Sequence, residues 1–173
     1  MAKDQSIIDK ERVDRFYMRM QQANTGVFLD AFNLVYDNIY VGGTPNLELG
    51  TYPAVDAVLN LRAESQLTLN SKATLWMPVW DREPFPGIEW LAIAVEFLES
   101  NQSKNWTTYI HCNLGVSRSG MVAIAFLMKK EKMKMEDAWA ILNHKRPTWP
   151  NPFFCLGLIE WERYLNGESS VSN

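Results

Sequence analysis

Tyr109-Ile110-His111-Cys112-Asn113-Leu114-Gly115-Val116-Ser117-Arg118-Ser119-Gly120 is the stretch on which the reading of this chain turns. A cysteine follows a short run of strand-forming residues, five residues intervene, and Arg118 opens an apolar helical segment. A loop that tightens into a helix start turns consecutive backbone N–H groups inward as an anion nest. The first amides of the helix lack partners and carry the positive end of its dipole. Together they suit a tetrahedral phosphate or sulfate. Gly115 admits a backbone conformation that a Cβ would penalise. Arg118 adds a planar fork of donors for two anion oxygens. Thiols in such electropositive surroundings ionise at ~3.5–7.5 instead of ~8.5. Cys112 is therefore the expected nucleophile. Asn113, Leu114, Gly115, Val116, Ser117 and Arg118 are the expected phosphate cradle, and Ser119 the expected donor to the departing thiolate. An ordinary buried cysteine in a strand-loop-helix turn is the competing reading. Five fixed positions, at about one in twenty each, arise by accident with odds on the order of 10⁻⁴ in such a chain.

Strands and helices alternate outward from this stretch. Residues 5–22 read as a charged helix with Ile8, Val13, Phe16 and Met20 on one stripe. It is expected to dock on the domain, with a substrate- or partner-facing arm as the alternative. Val35–Val41 reads as a turn followed by a short strand, halted by Gly42-Gly43. Ala57–Leu61, Thr74–Val79 and Thr107–Ile110 read as strands, and Trp80–Gly87 as a loop. Helices are expected at 88–100, 118–129, 136–144 and 152–165. The pattern implies an α/β layered domain with helices covering a central sheet. Its expected division is an N-terminal helical extension over 1–30, one catalytic domain over 31–166 and a flexible tail over 167–173. Among the seven tryptophans, Trp76, Trp90, Trp139 and Trp161 are expected in the core, with Trp80 and Trp149 lining the pocket.

Composition narrows the function classes. The 173 residues are 47% hydrophobic and 21% charged, as in an ordinary globular domain. With 17 Lys plus Arg against 20 Asp plus Glu, the net charge is −3. That argues against a nucleic-acid footprint and against binding to anionic membranes. No apolar run approaches a membrane span, and Met1–Ser6 leads into alternating charges instead of a secretory leader. Cys112 and Cys155 with two scattered histidines do not form the paired spacing of a zinc site, so no metal or cofactor is expected. The expected location is cytoplasmic or nuclear, and the oligomeric state is left open.

The central stretch resembles the signature loop of the protein tyrosine phosphatase superfamily, His-Cys-x-x-Gly-x-x-Arg-Ser/Thr. The chain as a whole is most similar to its dual-specificity branch. Asp37–Gly43, Ala57–Glu64 and Arg146–Phe153 with Trp161-Glu162 carry the likeness further, over roughly Asn33 to Leu165. The resemblance implies a single-domain tyrosine-phosphatase-like fold, with a central mixed sheet flanked by helices. It implies a phosphomonoesterase acting on phosphotyrosine and phosphoserine/threonine through a cysteinyl-phosphate. A general acid is then required, and the resemblance places it on a mobile loop about thirty residues before the cysteine, where Asp81 stands. Glu83 is the reserve acid, while Glu64 and Asp56 are expected as surface groups. By resemblance, His111 orients the loop and stabilises the thiolate, and Asn151 braces the loop, a simple turn role being its rival. Cys155 is expected in the core, with a redox role beside Cys112 as the minor reading.

Three departures shape the substrate. Leu114 stands where a small residue is usual. The loop has no lysine, which weighs against inositol lipids, and no second histidine, which weighs against RNA 5′ ends. Non-protein substrates, phosphorylated glucans included, remain the main alternative, followed by a phosphoprotein-binding module with little turnover. Sulfur-transfer and arsenate-reducing enzymes also use a cysteine anion loop, but the Gly115 and Arg118-Ser119 pattern fits them poorly.

Overall fold

The computed structural model describes residues 2–168, so the expected tail lies outside the described residues from residue 169 onward. The elements are α1 (Gln5–Asn24), β1 (Phe32–Tyr36), β2 (Ile39–Gly42), β3 (Ala57–Arg62), β4 (Ala73–Val79), α2 (Ile88–Ser103), β5 (Thr108–His111), α3 (Arg118–Glu131), α4 (Met135–Lys145) and α5 (Pro152–Leu165). Helix boundaries follow local chemistry. Asp4 caps α1 by accepting from Ser6 N at 2.7 Å, and Asn151 caps α5 by accepting from Phe154 N at 3.0 Å, with Pro152 beginning the helix.

The sheet has the order β1-β2-β5-β3-β4. β1 and β2 pair antiparallel and the other neighbours pair parallel, so the sheet is mixed. The sequence reading held one strand where the structure has two. Asp37 takes a positive φ of 39°, and Tyr36 pairs with Ile39, so the segment is a tight hairpin. The turn residues were legible, but β1 before them is half-exposed and shows weak alternation.

Successive residues of the central strands point to opposite faces. Leu59 and Ile110 belong to the large core cluster, together with the buried residues of all five helices. Val58 and Tyr109 form a small second cluster under Phe32, Tyr40, Tyr52, Val55, Leu67 and Leu69. α3 is buried at every position from Arg118 to Met128, as its apolar sequence requires. Trp139 and Trp161 are core residues and Trp90 packs against the core. Trp76 is a correction: it is 37% exposed, and its indole N–H donates to Arg62 O at 2.8 Å.

β5 occupies the middle of the sheet, with His111 paired to Gly42 on one side and to Asn60 on the other. Residues just past the ends of neighbouring parallel strands converge on one crevice. Cys112, Gly43 and the segment after Arg62 meet there.

Candidate active site

The loop from Asn113 to Ser117 joins β5 to α3 and is held from outside by its carbonyls. Thr44 N donates to Asn113 O at 2.9 Å. Arg146 donates through Nη2 to Leu114 O and through Nε to Gly115 O, both at 2.8 Å. Trp149 N donates to Val116 O at 3.0 Å. With four successive carbonyls drawn outward, the opposite side of the loop is left to the amides, and among the described residues the N–H groups of Asn113–Arg118 donate to no carbonyl or side chain. These amides lie in the segment expected to cradle phosphate, and Arg146 is a supporting residue that the sequence reading missed. Arg146 is 1% exposed and also reaches Asp30 O and Asn33 Oδ1. Burial lowers its pKa.

Gly115 has φ +69°, and a Cβ on it would strike the Gly42 backbone. Its glycine is required by both conformation and space. Cys112 is 3% exposed at the pocket floor.

Arg118 is 3% exposed and forms a two-pronged pair with Glu64, Nη1 to Oε2 and Nη2 to Oε1, each at 2.9 Å. Nη1 also donates to Val79 O at 2.8 Å. Its Nε makes no hydrogen bond among the described residues. Glu64 additionally accepts from Asn113 Nδ2 at 2.9 Å, and Asn113 Oδ1 accepts from Arg62 Nε at 2.7 Å. The Arg118 hydrogen bonds pull the Glu64 carboxyl down to about 2 despite some burial. Burial opposes the Arg118 charge, but Glu64 outweighs it and the pKa rises. Glu64 is exposed, as the sequence suggested, but it also lines the pocket and orients Arg118, a role the sequence did not reveal. It follows β3, whose pairing beside β5 is a long-range fact that no local pattern reveals. Asp56 instead pairs with Lys72 and caps Thr107, away from the pocket.

Asp81 lies at the loop. Its Oδ1 accepts from Ser117 Oγ at 2.6 Å and from Asn151 Nδ2 at 2.9 Å. The Asn151 amide also donates to Ser117 Oγ at 3.0 Å. Asn151 thus caps α5 through its side-chain oxygen and joins Asp81 to Ser117 of the loop through its side-chain and backbone N–H groups. Phe85 anchors the acid segment, its ring lying where Gly157 of α5 has no side chain. Glu83 does not line the pocket. Arg82 stacks over Trp80 with its guanidinium carbon 5.0 Å from the ring centre.

His111 is fully buried and stacks on Tyr109 at 5.4 Å, with both ring nitrogens unpartnered. Burial pushes its pKa down to about 4, with the Arg62 charge adding to this and the Cys112 backbone partly offsetting it. A neutral imidazole shaped around the cysteine backbone follows. Ser119 Oγ is buried and, among the described residues, has no hydrogen-bond partner. Cys155 is buried in the core, where burial pushes its thiol up, and both cysteines are free.

The pocket so formed is about 590 Å³ and open to solvent. Cys112, Arg118, Asp81, Glu64 and Asn151 line it, with Trp80 and Trp149 as expected and Tyr17 from α1 in addition. Leu114 sits on its rim, 65% exposed. A buried cation, unpaired amides and a carboxylic acid around one thiol can bind an oxyanion, attack it and protonate a leaving group.

Comparisons with known proteins place the chain in a family. The family model described as the dual specificity phosphatase catalytic domain matches residues 39–164. The chain is 34% identical over 86 residues to human dual specificity protein phosphatase 16, covering 49% of this chain and 13% of that protein. It is 32% identical over 143 residues to the tyrosine-protein phosphatase vhp-1 of Caenorhabditis elegans, covering 79% of this chain and 22% of that one. The chain thus spans only a small part of these relatives. Among solved structures, PTPMT1 in complex with PI(5)P superposes with a TM-score of 0.69 at 19% identity, over 80% of this chain and 98% of that one.

Proposed function

The chain belongs to the dual specificity phosphatase catalytic-domain family, and from that premise we propose that it hydrolyses phosphotyrosine and phosphoserine or phosphothreonine in proteins. The observation that carries the proposal is that Asp81, Cys112 and Arg118, from three separate segments, line one pocket.

In the first step the Cys112 thiolate attacks phosphorus. An S–P bond forms, the P–O bond to the leaving group breaks, and Asp81 gives its proton to the departing oxygen. In the second step water attacks the cysteinyl-phosphate. Its proton goes to Asp81, an O–P bond forms, and the S–P bond breaks to return the thiolate and inorganic phosphate. The loop amides and Arg118 bear the charge on the equatorial oxygens throughout. Arg118 reaches the phosphoryl group through its Nε–H and the second Nη2–H, since Glu64 and Val79 O take both Nη1 hydrogens and the other Nη2 hydrogen. The buried Ser119 hydroxyl turns to the sulfur as it leaves. The proposed setting is cytoplasmic, in keeping with two free cysteines.

The ligand of the PTPMT1 structure makes a lipid phosphate the second reading, against which stands a signature loop without lysine. The test is hydrolysis of a phosphotyrosine and a phosphothreonine peptide with chelator present, beside Cys112→Ser. Release of phosphate from both by the wild type alone supports the proposal. No release from either transfers the search to lipid and glucan phosphates.

A further inference from the structure

The pocket wall is completed by a helix that lies outside the matched catalytic segment at 39–164. α1 brings Tyr17 to the pocket, where its ring stands 5.6 Å from that of Trp149, tilted by 45°. Asp81 lines the same pocket, and burial, with the charges of Cys155 and Asp81 adding to it, raises the Tyr17 pKa.

The position of Tyr17 is firmly set. Five residues before it, Arg12 grips Glu136 of α4 at 2.6 and 2.8 Å and Glu162 of α5 at 2.7 and 2.9 Å. Arg163 reaches Asp9 at 2.5 Å. Val13, Phe16 and Met20 are buried on the inner stripe, and Phe16 meets Trp139 edge-on at 5.6 Å. Such a helix is a fixed part of the wall.

Tyr17 and Trp149 line the same pocket as Cys112, so a leaving group held there has their rings within the same space. A phenyl ring extends far enough to stack there, whereas the short alkyl arm of serine or threonine does not fill the same space. Building on the phosphatase reading above, we propose that Tyr17, backed by Trp149, is a specificity-determining residue that receives the leaving group and favours aryl phosphates, phosphotyrosine among them, over alkyl phosphates.

The test compares kcat/KM for a phosphotyrosine and a phosphothreonine peptide of the same flanking sequence across wild type, Tyr17→Phe, Tyr17→Leu and Tyr17→Ala. The expected result is that Leu and Ala lower the phosphotyrosine value about three- to tenfold, the worth of one aromatic pair, and leave the phosphothreonine value within about twofold. Phe keeps the wild-type ratio. Leu maintains apolar packing, so a loss confined to Ala reports folding instead of recognition and overturns the proposal, as does an equal loss on both peptides. Wild type inactive on both peptides and on a simple aryl phosphate sinks the phosphatase reading itself, and this inference with it.

Discussion

Arg118 and Glu64, 54 residues apart in sequence, meet fork to fork with two 2.9 Å contacts, and this pairing fixes which edge of the guanidinium faces the pocket. On the proposed mechanism, the side chain that would bind the oxyanion is aimed by a carboxylate that would not. A lysine at position 118 could not be oriented in this way.

Removing Glu64 should therefore damage both fold and binding. Glu64→Ala leaves a 3% exposed cation without its partner. Breaking a fully buried pair costs ~3–5 kcal/mol, and about 2 kcal/mol is expected here because Glu64 is 27% exposed. KM for an aryl phosphate should rise more than kcat falls, and inhibition by inorganic phosphate should weaken in step. Urea melts and phosphate inhibition check the two halves separately. A variant with unchanged phosphate affinity would refute the aiming role.

The acid is expected to reveal itself through leaving-group dependence. Asp81→Ala should lower kcat ~10²–10⁴-fold on an alkyl phosphate and far less on a nitrophenyl phosphate, whose oxygen departs without a proton. Ser117→Ala removes one of the two donors to Asp81 Oδ1. Its expected effect is about a three- to tenfold fall in kcat, again confined to poor leaving groups. Equal losses on both esters would show that Asp81 only supports the loop.

Phe85 lies on Gly157, so the acid segment is seated from behind by a helix residue away from the chemistry. Gly157→Val should push the ring out and displace Asp81. The expected signature is an Asp81-like fall in kcat on alkyl phosphates with phosphate inhibition unchanged. A crystal structure of this variant with Phe85 in place and kcat reduced would break the connection.

His111 gives the fold an acid limit. Burial pushes its folded-state pKa down to about 4, from an ordinary 6.5. Between these values the unfolded chain takes up a proton that the native state refuses. Stability from this group is thus complete above pH 6.5 and declines as pH falls toward 4, by about 3 kcal/mol in all. Glu64, held down to about 2, acts with the same sign, its contribution being lost as pH falls below about 4.5 toward 2. Urea midpoints at pH 7, 5.5 and 4.5 should fall accordingly, and His111→Gln should flatten the upper part of that slope.

How far the sequence could be read depended on whether the relevant signal was local. Cys112, Gly115 and Arg118 lie within one loop, and their spacing alone implied a phosphate cradle. The helices were legible from their periodicity, to within a few residues at each end. Glu64 and Arg146 were misjudged or overlooked because their roles depend on what the fold brings alongside them. β3 lies next to β5 only in the sheet, and the segment after α4 wraps the loop only in three dimensions. Trp76 was assigned to the core from its hydrophobicity, but its strand is at the sheet edge, where one side stays open. Tyr17 was hidden for a similar reason. On a helix rich in charge, a half-buried tyrosine carries no mark that it faces a pocket.

The outward hold on four consecutive carbonyls has a consequence for the thermodynamics of ligand entry. Fixing a free backbone takes roughly 1–2 kcal/mol per residue in lost conformational entropy. For Asn113–Val116 that loss is borne during folding, by Arg146, Thr44 and Trp149, before any phosphate arrives. An arriving oxyanion meets a receptor already in its final shape, so little of the interaction energy is diverted to ordering the loop. On the proposed reading, the protein's own stability, supplied in part by a buried arginine bonded to the outer side of the loop, is in this way converted into affinity.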